Sequence, residues 1–99
     1  MKHFEELWTE AENLHKEIND GSAASALVDE LVLKLTVYKV LDKNDKIPDA
    51  EKAKLKSHTF GKILALLTNL SLKDNVNVYD SLLLAINDLK IDALESKYP

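Results

Sequence analysis

Residues 27–41 read LVDELVLKLTVYKVL, and no other stretch limits the possible folds as tightly. From Leu31 to Tyr38 apolar and polar letters alternate as in a half-buried strand, while Leu27, Leu31, Leu35 and Tyr38 also recur at helical spacing. A strand needs neighbours for its backbone hydrogen bonds, and the only other strand-like letters are the short VNVY at 76–79. One strand makes no sheet, so the segment is expected to be a helix. Its β-branched residues lower intrinsic helix propensity, which leaves burial to hold it helical. Val28, Val32 and Val40 widen the row until most of the circumference is apolar. Such a helix is either the most buried one of its domain or half of a subunit interface, and Leu27, Leu31, Leu33, Val37 and Val40 are the expected interface residues of a homodimer.

The remaining sequence supports three more helices. Phe4, Leu7, Trp8, Ala11, Leu14 and Ile18 step by three and four over residues 3–18, and Asn19-Asp20-Gly21 supplies a stop, with Gly21 suited to a left-handed position. Ser22 is placed to cap the second helix, expected over 22–43. The connection DKNDKIPDAE follows, with Pro48 in a first helical turn or Asp49 as a cap. A third helix is expected over 49–72, burying Leu55, Thr59, Ile63, Leu66, Leu67 and Leu70, with Gly61 in its interior. A fourth, over 77–97, opens on an Asn77-x-x-Asp80 pattern like a capping box and turns Leu82, Ala85, Ile86, Leu89, Ala93 and Tyr98 inward. Short connections between four helices predict one all-α domain over 1–99, an antiparallel four-helix bundle.

Composition removes several classes of function. Without cysteine there are no disulfides, thiolate metal sites or thiol catalysis, which suits a reducing compartment. The start, MKHFEELW, has no apolar leader-like run, and no aliphatic run is longer than that from Ile63 to Leu67, far below the roughly 20 residues of a spanning helix. A cytoplasmic protein with no membrane partner is expected. All 13 basic residues are lysine, so the planar fork that reads guanine or grips phosphate is missing and no nucleic-acid partner is expected. The net charge of −4 is uneven: residues 1–20 hold two lysines against six acids, and residues 43–62 hold six lysines against three acids. These read as solvated helix faces, with docking of a protein partner as the functional alternative.

Few constellations could carry chemistry. Glu12 and His15 have the i, i+3 spacing of paired metal ligands, but no second such pair exists, and His15 reads better as a residue at the edge of the apolar stripe. Glu6, Glu10 and Glu17 share one face of the first helix, and Asp88, Asp92 and Glu95 one face of the fourth; both sets lie opposite an apolar stripe and point to solvent. His58, Lys62 and Asn69 could form a polar seam on the third helix that touches a phosphate. There is no Gly-rich phosphate loop and no nucleophile elbow.

GKILALLTNL, followed by DSLLLAINDLKIDALESKYP, resembles the last two helices of the MazG-like all-α nucleoside triphosphate pyrophosphohydrolases, with Lys90, Ile91 and the closing Lys97-Tyr98-Pro99 in matching places. The resemblance covers about 40 residues well and the first half loosely. It implies a dimeric or tetrameric helical bundle that binds Mg²⁺ through Glu-Glu-x-x-Glu on one helix and Glu-x-x-Asp on the next, and cleaves nucleotides to monophosphate and pyrophosphate. On the second helix DELVL places Asp29, Glu30 and Leu33 on the first motif, and on the third TFGK places Thr59 and Lys62 on the second. In the other register TEAEN offers Thr9, Glu10 and Asn13, followed by Glu30 and Leu33. Either way at most two of five acids survive, and leucine or lysine in such a site removes most of its Mg²⁺ affinity.

A non-catalytic helical interaction or regulatory protein on a MazG-like scaffold is therefore the preferred reading, with no cofactor. The alternative is a divergent Mg²⁺-dependent pyrophosphohydrolase with Glu10 and Glu30 as catalytic residues and Glu6, Glu10 and Glu30 as metal ligands. A third comparison, the four-helix bacteriocin-immunity proteins, rests on similar length and class without a matching motif.

Overall fold

Apolar side chains at three- and four-residue steps, with Glu5 and Glu6 beside the positive end of the helix dipole, form α1 (Phe4–Ile18). The computed structural model of the chain describes residues 3–18 and 21–98, and continues with α2 (Ala24–Lys43), α3 (Asp49–Lys73) and α4 (Val78–Lys97). No strand occurs among the described residues. The all-α, four-helix architecture read from the sequence is present, each helix ending within two residues of its expected limits. No helix among the described residues is long and apolar enough to cross a membrane.

Helix ends depart from expectation where local chemistry offered two solutions. Asn19 and Asp20 of the expected stop, like Pro99, lie outside the described residues, and Gly21 does not take a left-handed conformation. Ala23 rather than Ser22 is the N-cap of α2, and it makes no side-chain capping bond. Pro48 itself occupies the N-cap of α3, which leaves Asp49 as the first helical residue. The cap of α4 is as expected: Asn77 Oδ1 accepts the Asp80 N–H at 3.1 Å. Asn77→Ala should therefore cost α4 about 1 kcal/mol, read as lost helix signal in far-UV circular dichroism.

Helix α3 is the common support. Along α2 the residues facing it are Leu27, which is 4% exposed, and the half-buried Leu31, Lys34, Tyr38 and Leu41. At the far end Tyr38 and Phe60 meet edge to face with ring centroids 6.3 Å apart, and Lys56 Nζ lies 5.2 Å from the Tyr38 centroid. Lys56 also bonds Asp42 Oδ1 at 2.8 Å, so the C-terminal end of α2 meets the N-terminal half of α3 and the two run antiparallel. Helix α1 rests on the second half of α3 through Trp8, 8% exposed, and through His15, whose Nε2 donates to the Ala65 carbonyl at 3.0 Å.

The buried apolar core is small: Trp8, Leu27 and Ile63, joined by Thr59, Thr68 and Asn69. Thr59 and Thr68 satisfy their hydroxyls on the carbonyls four residues back, Leu55 and Leu64, each at 2.9 Å, which lets them pack without an orphaned polar group. Leu66 and Leu70 are half-buried as expected, but Leu55 and Leu67 stay exposed. Gly61 has no close approach to explain it, because an added Cβ would meet nothing within 4 Å. Gly61→Ala is expected to stabilise the chain by about 1 kcal/mol in urea titration.

The largest correction concerns α4. Leu82, Ala85, Ile86, Leu89, Ala93 and Tyr98 do not face a core, since every residue from Ser81 to Tyr98 is exposed. Periodicity marks an apolar stripe in the sequence, but it does not say whether the chain's own core covers it. The radius of gyration is 16.6 Å, against roughly 13 Å for a closed domain of this length. The chain exposes 7865 Å², whereas a folded monomer of 11.1 kDa exposes about 5,700 Å².

Candidate functional site

The acidic residues were the first candidates for chemistry. Glu6 and Glu10 lie with Glu5 and Glu17 along an open groove of about 590 Å³ on α1, and Glu30 is exposed on α2. Among the described residues no three His, Asp or Glu side chains gather in a group that could hold a metal ion. Glu6, Glu10 and Glu30 are thus not brought together as a ligand set. Asp29, Glu30 and Leu33, the residues on the first motif position, are all exposed, while Thr59 is buried with its hydroxyl turned back to Leu55 and Lys62 is exposed. In the other register Thr9, Glu10 and Asn13 are exposed as well.

His15 has a structural duty: donating to Ala65 uses its Nε2 to tie α1 to α3, so that nitrogen is already engaged. Of the expected seam on α3, His58 and Lys62 are exposed, whereas Asn69 is buried, only 6% exposed.

Charge groups elsewhere act between helices. The Lys56 hydrogen bond, and then its charge, hold the Asp42 carboxyl below its usual range, and the same bond raises Lys56. The carboxylate's contribution is present above its ordinary pKa near 4 and disappears as pH falls through the lowered value; that of the ammonium is present below its ordinary value and disappears as pH rises through the raised one. The pair is charged throughout the neutral range, but both groups are open to water and it adds little to stability. Trp8 and Glu12 of α1 line one small open pocket with Val78 and Tyr79, which places the root of α4 beside α1; there desolvation, followed by the Glu5 and Glu12 carboxylates, raises the Tyr79 hydroxyl.

What the fold does assemble is apolar surface. On α2 the expected interface splits. Leu27 is withdrawn into the chain's own core and Leu31 is half-buried, because both lie on the side that meets α3. Leu33, Val37 and Val40 lie on the outer side at i, i+4 and i+7, with Val32 beside them, and Leu33 and Val40 are each 59% exposed. Thr36, within this ridge, closes its hydroxyl on the Val32 carbonyl at 2.9 Å and so presents a methyl group without an open donor.

A second apolar surface lies where α4 leaves the body. Trp8 of α1 and Leu67 and Leu70 of α3, with Val76, Val78 and Leu82 beside them, line an open cavity of about 420 Å³. The apolar stripe of α1 divides there. Trp8, Ala11 and His15 turn toward α3, while Leu7, Leu14 and Ile18 remain exposed. Sequence reading missed this groove; its only advance signal was a lone tryptophan on a leucine stripe, which ordinarily means a core position.

No family model, curated protein or solved structure matches this chain.

Proposed function

We propose that this is a non-catalytic helical interaction or regulatory protein that works as a homodimer, with the outer ridge of α2 (Leu33, Val37, Val40) in the interface. The observation that carries it is the surplus of surface: about 2,200 Å² beyond that of a closed monomer, much of it leucine, isoleucine and valine on α2 and α4. Twice that surplus lies in the range of obligate dimers, whose interfaces resemble a domain core cut in half. The reading suits the cytoplasm, where a cysteine-free, lysine-rich chain needs no oxidising chemistry. The likeness to the MazG-type bundle enters as a proposed scaffold, with the carboxylates of its metal site reduced to Asp29 and Glu30, or to Glu10 and Glu30.

The catalytic question has a direct test. Incubated with ordinary and modified nucleoside triphosphates and Mg²⁺, the protein is expected to release no pyrophosphate above the buffer rate. Turnover that disappears in Glu30→Ala would overturn the non-catalytic reading and restore Glu10 and Glu30 as an active pair.

A further inference from the structure

Helix α4 and the groove at its root are each incomplete, and they complement one another. Leu82, Ile86 and Leu89 form one apolar stripe of α4 and Leu84 and Ile91 another, all exposed, with Leu84 at 68%. A helix apolar on two sides belongs in an interior. Every described residue of α4 from Tyr79 onward is exposed.

A tight turn launches α4. Only four residues, 74–77, separate α3 from α4. Asn75 takes the left-handed conformation, φ 53°, at the position after the helix cap. The Val76 N–H donates to the Ser71 carbonyl at 2.9 Å and the Asn75 N–H to the Leu72 carbonyl at 3.3 Å, the paired bonds that close a helix C-terminus. Asn77 then caps α4 at once. These bonds fix the direction in which α4 leaves the body.

Resting on the homodimer reading, we propose that α4 is an exchanged arm: Ile86 and Leu89 of each chain lie in the groove of a second copy, over Trp8, Leu67 and Leu70, while Leu82 lines the groove of its own chain. A second copy is the occupant because helix and groove are unpartnered on the same chain, so one two-fold operation covers both. The area agrees, since α4 is roughly 30 Å long and the surplus of about 2,200 Å² per chain matches what an obligate exchange buries.

The absence of cysteine makes the test clean. Leu67→Cys and Leu89→Cys are introduced together in one chain and, separately, in two differently tagged chains refolded as a mixture; each sample is treated with a short bismaleimide. Exchange predicts that the double variant is linked chiefly at twice the chain mass, and that the mixture gives a product carrying both tags. Ile86→Cys in place of Leu89→Cys repeats the experiment one turn away, should the first pair disturb folding. Linkage of the double variant at monomer mass would overturn the proposal in favour of α4 folding back. A dimer by light scattering with neither cysteine pair linked would overturn exchange while leaving the α2 interface standing. A monomer by light scattering would overturn both.

Discussion

Leu27→Ala should destabilise the subunit by about 2–5 kcal/mol, enough to unfold much of a chain whose total stability is of order 5–15 kcal/mol. Leu27 is the most buried apolar side chain of α2, and Trp8 and Ile63 are its only companions in the buried apolar core of the described residues. The cost has two parts, the lost transfer free energy and the void left between α2 and α3. Urea denaturation at fixed protein concentration is the measurement, and the midpoint should fall without a change in slope. Leu33→Ala, six residues along the same helix and 59% exposed, is the matched control: in the separated subunit it should cost less than about 0.5 kcal/mol. Equal effects at the two positions in the separated subunit would mean that α2 docks on α3 by a different face.

Placing two carboxylates on the outer ridge should have the opposite profile. Leu33→Glu with Val40→Glu is expected to raise the dimer dissociation constant by about 100-fold or more, because an uncompensated charge buried in an interface costs roughly 3 kcal/mol or more. Helix content should hardly change, since neither side chain touches the chain's own core. Sedimentation equilibrium over a concentration series reads the first quantity and far-UV circular dichroism the second. Loss of helix together with loss of the dimer would show that α2 is helical only in the assembled state, consistent with its dependence on burial.

How far the sequence reached depends on the range of the interaction concerned. Helix positions are set by local spacing and by Gly, Pro and Asn punctuation, and they were legible to within two residues. The Asn77 cap was legible for the same reason, a side chain bonding a backbone group three residues away. Ser22 failed because the residue after it, Ala23, already satisfies the backbone geometry of a cap, φ −71° and ψ 154°. Sidedness was harder. All-round apolarity in α2 hid which edge meets α3, so Leu27 and Leu33 looked equivalent until Tyr38, Lys56 and Asp42 fixed the rotation of the helix. In α4 the periodicity is real but carries no statement about the covering partner. Of the two buried threonines on α3, Thr59 was legible from its place in the apolar stripe and Thr68 was not, since only a hydroxyl returned to the preceding turn lets threonine act as core.

Size-exclusion chromatography with in-line light scattering at micromolar concentration decides whether two chains associate. A homodimer should run as a single species at twice the 11.1 kDa chain mass, persisting on dilution into the low micromolar range. A monodisperse 11.1 kDa species would contradict it, and would leave the exposed leucines of α4 and the ridge of α2 without the partner proposed for them.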